Sequence, residues 1–189
     1  MKVKIISEYG IHEAMLGLGL SFGKTSDIEL EDILYKDDNI STKMFDRMNV
    51  LAGLGNGHDK FLRAINVVLD ITAPLYWWKE FDTYKIGTVT QSESTMHTLT
   101  KKSITKDMFE DGDSIYQSTI DQLEQDRLNN DFYTLNKNLP HSFLQRRIVS
   151  TNYAVLANII KQRNNHKLSE WIYLCDVVKN QINYPNFLK

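Results

Sequence analysis

The sequence is poor in cysteine and proline. Its 189 residues include one cysteine, Cys175, and three prolines. A single cysteine cannot form a disulfide within the chain, which is typical of proteins from a reducing compartment. The sequence has no Pro- or Gly-rich tract that would indicate a linker. We therefore expect one domain over residues 1–189.

Long apolar runs and a large net charge are also missing. No run of about 18 apolar residues occurs, so we expect no membrane span. Residues Met1 to Ile6 lack the long apolar stretch of a signal peptide. The net charge of −2 gives no general attraction to nucleic acid or to an anionic membrane. The expectation is a cytoplasmic protein that binds neither, so any bound phosphate must lie in a local pocket.

Several chemical motifs are absent. There is no Gly-x-Gly-x-x-Gly, no Walker loop, no CxxC pair and no HExxH. The five histidines, at positions 12, 58, 97, 141 and 166, are scattered without metal-ligand spacing. We therefore expect no metal site. Cys175 lies in an apolar helical stretch, which favours a buried and unreactive thiol over a nucleophile.

Apolar residues, at 42%, are abundant enough for a core, and both helical and strand periodicities occur. The expected fold is one α/β or α+β domain. Pro74 predicts the start of a helical turn that holds Trp77, Trp78 and Phe81. The patterns predict strands at 3–6 and 61–71 (the latter with a possible helical start), a loop with extended pieces at 87–100, and helices at 11–20, 28–35, 43–54, 108–132, 150–164 and 166–182.

Two segments could carry chemistry. Thr83 to Thr95 is dense in hydroxyls and amides, which suit a nucleobase with its ribose and phosphate. A solvated Ser/Thr-rich loop has the same composition and is the commoner case. In the second segment, Ser150 or Thr151 is a plausible helix N-cap. Asn152 and Arg163 would then share one helix face about 16 Å apart, either touching two ends of a large ligand or lying on the surface.

Two adjacent pairs leave alternatives open. Trp77-Trp78 is typical of a core, although one indole could stack on a ligand ring. Arg146-Arg147 is either a solvated helix start or a phosphate site.

Both segments, in this order, resemble the signature regions of the flavin-dependent thymidylate synthase (ThyX) family along nearly the whole chain. Gly57-His58 matches a glycine-histidine before the family's second strand, and Ile86 to Gln91 follows the middle of its Arg-His-Arg-x-x-Ser-x-(Asn/Thr)-(Glu/Gln)-x-Ser-x-Arg motif. Pro140, in Leu139-Pro140, precedes Asn152 by twelve positions, as in the family. Asn158 and Arg163 fall at matching positions, and His166 is one residue closer than usual.

The resemblance implies an α/β fold with an antiparallel sheet and long helices, assembled as a homotetramer with FAD at subunit interfaces. It also implies transfer of a methylene group from methylenetetrahydrofolate to C5 of dUMP, with NADPH-reduced flavin supplying the hydride. Arg163 is the implied catalytic residue, which contacts the uracil and stabilises its ionised ring. The implied substrate-binding residues are Lys85, Thr88, Gln91, Ser92 and Lys137, and the implied cofactor-binding residues are His58, Asn152, Asn158 and His166.

Several of the family's arginines are replaced. Thr83-Tyr84-Lys85 stands for Arg-His-Arg, Glu93 and Thr95 for the closing Ser and Arg, and Asn136 and Ala154 for two later arginines. Each charge-assisted contact that is lost costs about 1.5–3 kcal/mol. Two alternatives to an active enzyme follow: a non-catalytic ThyX-fold protein that has lost FAD and binds a nucleotide or regulates a partner, or a purely structural protein. If the chain is instead an active enzyme, other lysines must replace the phosphate contacts of the missing arginines. The candidates are Lys79, Lys85, Lys101, Lys102 and Lys137.

Overall fold

The computed structural model describes residues 1–35 and 38–189. Its strands are β1 (Lys2–Tyr9), β2 (Asn66–Pro74), β3 (Val89–Ser92) and β4 (Leu144–Asn152). The α-helices in these ranges are α1 (Ile11–Leu20), α2 (Leu30–Tyr35), α3 (Asp38–Leu51), α4 (Leu75–Phe81), α5 (Thr95–Thr98), α6 (Gln117–Leu128), α7 (Phe132–Asn138), α8 (Tyr153–Arg163) and α9 (Ser169–Gln181). Five short 3-10 helices lie at Lys60–Arg63, Leu99–Lys101, Lys106–Met108, Gly112–Ser114 and Pro185–Phe187.

The four strands form one antiparallel sheet in the order β1-β2-β4-β3. Central strand β2 alternates half-buried and fully buried residues, as expected for a strand with one face on the core. The edge strands β1 and β3 contain no fully buried residue. The predicted mixed helix and strand fold with an antiparallel sheet is confirmed.

The chain divides into two compact units. Unit 1 comprises Met1–Val3, Asp70–Thr83 and Thr90–Ile148, and unit 2 comprises Lys4–Leu69, Tyr84–Val89 and Val149–Lys189. The single domain expected over residues 1–189 stays a prediction. Among the residues described, no helix is long and apolar enough to cross a membrane.

Unit 1 has its own apolar core. Trp77 and Trp78 are almost fully buried, and their rings pack against each other and against Phe81. The core interpretation is therefore right for both indoles, and neither is placed to stack on a ligand. A second buried cluster consists of Leu99, Ile104, Phe109, Ile120, Leu123, Leu135, Leu139 and Phe143.

Unit 2 is built around a buried tyrosine at the start of α8. The hydroxyl of Tyr153 donates to the carboxylate of Glu8 and accepts from the backbone N–H of Tyr184, 3.1 Å away. Burial is the main cause that raises the pKa of Tyr153. Phe187 packs beside this ring and is fully buried. Cys175 is also buried, as predicted, and this burial is the main cause that raises the pKa of its thiol.

Two of the predicted helices are wrong in part. Residues 150–152 complete strand β4, and α8 begins only at Tyr153, so neither Ser150 nor Thr151 is the N-cap. Thr151 is buried in the strand instead. Arg146 and Arg147 likewise lie in β4 and not at a helix start. The single helix predicted over 108–132 is replaced by two short 3-10 helices, then α6 and α7.

Backbone conformation explains the second error. Asp111 has φ +49°, and a Cβ on Gly112 would lie 2.0 Å from the carbonyl oxygen of Lys106, so the chain turns tightly here. Asn130, with φ +55°, separates α6 from α7. Asparagine and aspartate adopt this left-handed conformation more readily than most residues do.

Other predicted elements shift less. The strand predicted over 61–71 does have a helical start, at Lys60–Arg63, and the strand itself runs over Asn66–Pro74. The segment 87–100 contains β3 and α5, so it is more regular than the predicted loop. Pro74 does precede the helical turn of Leu75–Phe81, as predicted. The helix predicted over 11–20 is confirmed as Ile11–Leu20.

Candidate functional site

The side chain of Arg163 is held by two polar contacts and a cation–π contact. Arg163 is the last residue of α8 and is half-buried. Its Nε donates to the hydroxyl of Tyr84 at 3.0 Å, and a terminal nitrogen lies 2.8 Å from Nε2 of His166. The guanidinium carbon is 4.7 Å from a ring centroid of Trp171, within cation–π range. These contacts come from three segments of unit 2 and fix the direction of the guanidinium.

Tyr84 extends this group to Asn158. Its hydroxyl donates to Oε1 of Gln162 at 2.8 Å, and Nε2 of Gln162 donates to Oδ1 of Asn158 at 3.0 Å. The Tyr84 hydroxyl thus accepts a hydrogen bond from Arg163 and donates its proton to Gln162. It acts as acceptor and as donor at the same time. We call Tyr84, Asn158, Gln162, Arg163, His166 and Trp171 the arginine cluster.

The imidazole of His166 serves as an acceptor in this cluster. An arginine only donates, so Nε2 of His166 must carry a lone pair when it bonds Arg163. The backbone N–H of Leu168 points at Nδ1 from 3.2 Å. A neutral imidazole has a single unprotonated ring nitrogen, so only one of these two contacts is a hydrogen bond at a time.

Thr88 and Asn152 belong to a second group in unit 2. The hydroxyl oxygens of Thr88 and Thr151 are 3.1 Å apart, and Thr151 donates to the carbonyl of Gly87 at 3.2 Å. Asn152 is the N-cap of α8, because its Oδ1 accepts from the N–H of Val155 at 3.1 Å. This group holds the segment after Tyr84 against the first turn of α8.

The second group depends on glycine at position 87. Gly87 has φ +74°, a conformation that favours glycine. A Cβ at this position would lie 2.9 Å from Nδ2 of Asn152 and 3.1 Å from a methyl carbon of Val155. The close approach of the turn to the helix therefore requires the absence of a side chain.

The other predicted site residues lie outside both groups. His58 and Lys85 are exposed residues of unit 2. Gln91, Ser92 and Lys137 are exposed residues of unit 1, where the ammonium of Lys137 lies 4.9 Å from the ring centroid of Tyr133. Of the nine predicted cofactor and substrate residues, the arginine cluster contains Asn158 and His166.

In unit 1, two motif positions that lack their arginine are joined to each other. The hydroxyl of Thr95 donates to Oδ1 of Asn136 at 2.9 Å.

The two arginines before α8 are paired with carboxylates of unit 1. Arg146 contacts Asp70 at 2.5 and 2.8 Å, and this contact raises the pKa of Arg146. Arg147 contacts Asp82 at 2.8 Å. Arg147 also lies over the ring of Trp78 at 4.3 Å. These guanidinium groups hold the local structure of unit 1.

Sequence reasoning missed Tyr84, Gln162 and Trp171. In the motif, Tyr84 only takes the place of a histidine, and its hydrogen bond to Arg163 spans 79 positions. Its place inside the motif was the available signal. Nothing in the sequence around Trp171 indicated a contact with Arg163. Across residues 1–35 and 38–189, no group of three or more His, Cys, Asp or Glu side chains is arranged to hold a metal ion.

The chain is thus an α/β protein with an antiparallel sheet, in which hydrogen bonds hold the guanidinium of Arg163 in place. No family model matches the chain, and no curated protein matches it. A crystal structure of the flavin-dependent thymidylate synthase ThyX from Helicobacter pylori, complexed with FAD and dUMP, matches with a TM-score of 0.77 and 14% sequence identity over 100% of this chain and 98% of that chain. A second ThyX structure from Helicobacter pylori, with FAD and dUMP, has a TM-score of 0.74 and 14% identity over 100% and 97% of the chains. The chain therefore has the ThyX fold over its full length.

Proposed function

We propose that the chain is a divergent member of the ThyX family that modifies C5 of dUMP, using FAD, NADPH and methylenetetrahydrofolate. The observation that carries this proposal is the arginine cluster, whose contacts fix the direction of Arg163. In the sequence, Arg163 stands where the resemblance expects the base-binding arginine. The full-length likeness in fold supports it.

Arg163 would hold the pyrimidine ring. A guanidinium stays charged at all physiological pH values and can donate two hydrogen bonds in one plane, which suits a uracil that ionises during the reaction. Tyr84, His166 and Trp171 would set its direction before the substrate arrives, so that little reorganisation is needed on binding. Thr88, Lys85, Gln91, Ser92 and Lys137 would contact the nucleotide.

The residues present fit the ring of FAD better than its phosphates. His58 and Asn158 are exposed and could offer polar atoms to a flavin ring, although Oδ1 of Asn158 already accepts from Gln162. Asn152 and His166 also have partners within unit 2. The positions that carry arginine or histidine in the long motif hold Thr83, Tyr84 and Thr95 instead, and of these positions only Lys85 keeps a positive charge. When bound, a flavin supplies the hydride chemistry, and the protein supplies binding and orientation.

Tritium release tests the activity. Protein reconstituted with FAD, NADPH and methylenetetrahydrofolate should release tritium from dUMP labelled at C5. Arg163→Lys should retain the charge but lose the planar pair of donors, and so lower the rate by at least about tenfold. Absence of release under all these conditions, from folded protein that binds FAD, would contradict the proposed reaction.

A non-catalytic nucleotide-binding protein is the second candidate. The bond between Thr95 and Asn136 favours it, because two positions that carry arginines in the motif form a neutral pair. Glu93 adds a negative charge in the same motif and would repel a phosphate. This version keeps the arginine cluster for a base and dispenses with the flavin.

Calorimetry against a panel of nucleotides and nucleosides separates the two candidates. The enzyme should bind FAD and dUMP, whereas the non-catalytic protein should bind a nucleotide or nucleoside in the absence of FAD. Failure of every compound to bind would contradict both. The proposed homotetramer is tested independently by light scattering of the purified protein, where a monomeric mass would rule it out.

A further inference from the structure

A cavity of about 360 Å³ lies entirely within residues of unit 1. This volume falls in the usual range for small-molecule pockets, about 300–1,000 Å³. Its apolar lining residues are Met1, Leu99, Met108, Phe143 and Leu144. Leu99 and Phe143 belong to the buried cluster of unit 1, and Met108 packs against that cluster. The cavity therefore opens onto a formed apolar core, and the hydroxyl-bearing Thr72 and Thr98 complete its wall.

Charged side chains at this cavity are mostly cationic. Lys2, Lys101 and Lys102 contribute three ammonium groups, against the carboxylates of Glu93 and Asp107. In the part of the chain that the structure describes, none of the three lysines forms an ion pair. The charge of Glu93 is partly offset by the nearby guanidinium of Arg146, whose pKa is raised by Asp70 first and also by Glu93. The cavity thus has an excess of positive charge over an apolar floor.

We propose that this cavity binds a small organic anion. Its flat apolar body would pack against Leu99, Met108 and Phe143, and its anionic group would meet the ammonium groups of Lys101 and Lys102, with Lys2 nearby. None of the residues in the arginine cluster lines this cavity, whereas Glu93, Lys101 and Lys102 do.

Neither half of the site suffices alone. The three lysines are exposed, and exposed charge pairs contribute little to affinity by themselves. Inorganic phosphate, which lacks an apolar body, should therefore bind weakly. Removal of apolar surface from water provides the larger part of the affinity, and the lysines provide the preference for an anion.

Four probes test this division: 1-naphthyl phosphate, 1-naphthoate, 1-naphthalenemethanol and inorganic phosphate, each titrated into the full chain by calorimetry. The two naphthyl anions should bind roughly tenfold more tightly than the neutral alcohol, a preference that two exposed charge contacts can supply. This preference should shrink at high salt. Tighter binding of the phosphate assigns a phosphate-bearing ligand, and tighter binding of the naphthoate assigns a carboxylate.

Variants locate the site. Lys101→Gln/Lys102→Gln should abolish the preference for the anions and leave the affinity for the alcohol unchanged. Lys106→Gln is the matched control, because Lys106 is close in sequence but does not line the cavity. Glu93→Gln should tighten binding of 1-naphthyl phosphate by about threefold, since it removes a like charge. Circular dichroism checks that each variant is folded.

Three outcomes would overturn the proposal. They are no binding of any naphthyl probe to the unmodified protein, equal affinities for the three naphthyl probes, and an equal loss of preference in Lys106→Gln and in the double variant.

Discussion

At the scale of single residues, Tyr84 links the elements of the candidate site. Its hydroxyl accepts a hydrogen bond from Arg163, on the helix end, and donates one to Gln162. Its ring meets Trp171 edge-on, with centroids 5.9 Å apart. Tyr84, which stands at the histidine position of the motif, is thus a hydrogen-bond partner of Arg163.

Tyr84→Phe tests this role. Loss of the hydroxyl should lower the free energy of unfolding by about 0.5–1.5 kcal/mol. Under the proposed function it should also weaken dUMP binding, because Arg163 is less firmly oriented. Tyr116→Phe is the control, since Tyr116 is 81% exposed. Urea unfolding and calorimetry measure both effects, and a Tyr84→Phe protein indistinguishable from the control would contradict the assignment.

Gly87→Ala tests the turn that follows Tyr84. A left-handed residue other than glycine costs about 1–2 kcal/mol, and here the new methyl group would also lie 2.9 Å from Asn152. The variant should therefore lose more stability than Gly23→Ala. Gly23 has φ +61° but no atom within 4 Å of an added Cβ, so this control isolates the backbone cost. Equal losses in thermal unfolding of the two variants would refute the close packing.

At the scale of elements, the junction between β4 and α8 shows what sequence patterns can and cannot give. The periodicity of α8 was visible, and the end of the helix at Arg163 lay within one residue of the prediction. The start of α8 could not be located from the sequence, because Ser150 and Thr151 are both residues that commonly cap helices. Thr151 is used inside the strand, where it bonds Gly87. That partner, 64 positions away, could not be found from local sequence.

The candidate site was predictable to a similar degree. Arg163, His166 and Asn158 were expected from the motif, and they meet in one cluster of unit 2. Trp171 was not expected, because its contact depends on how α9 packs on α8. Helix packing follows from tertiary structure, whereas motif spacing reports only neighbours along the chain. The roles of the predicted residues in binding stay predictions.

Asn152→Ala tests the start of α8. Loss of an asparagine N-cap should cost about 0.5–2 kcal/mol of stability. Asn152→Asp should restore most of it, because aspartate accepts the same hydrogen bond from Val155. Asn165→Ala, at an exposed position after the helix, should change stability by less than about 0.5 kcal/mol. If chemical denaturation ranks Asn165→Ala with Asn152→Ala, the cap is not the cause.

Helix α6 carries a pair that should make stability depend on pH. Arg127 donates to both carboxylate oxygens of Glu124, at 2.8 and 2.6 Å, and is the main cause that lowers the pKa of Glu124 from 4.5 to about 2. The backbone N–H of Ile104 adds a third hydrogen bond, at 2.8 Å. Because the folded protein favours the ionised form, this stabilisation is complete above pH 4.5 and is lost as the pH falls towards 2.

Glu124→Gln should remove that dependence. Between pH 4.5 and 2, the free energy of unfolding of the unmodified protein should fall more steeply than that of the variant. Urea titrations at a series of pH values measure both curves. Parallel curves over this interval would show that the pair does not stabilise the folded state.

At the scale of the whole molecule, the likeness to ThyX lies in the fold and not in the sequence. The chain has only 14% identity to a ThyX structure that it matches over its full length with a TM-score of 0.77. Core positions tolerate such change when volume and pattern are maintained. The absence of arginines at the motif positions bears instead on which ligands the chain could bind, because each lost charge-assisted contact costs about 1.5–3 kcal/mol. A shared fold does not by itself establish a shared activity.

The visible absorption spectrum of the purified protein, recorded before and after addition of FAD and removal of the unbound cofactor, tests the central proposal most directly. The account predicts flavin absorption bands that remain with the protein, since FAD would be its cofactor. A protein that is folded by circular dichroism, but colourless and unable to retain added FAD, would contradict the proposed flavoenzyme.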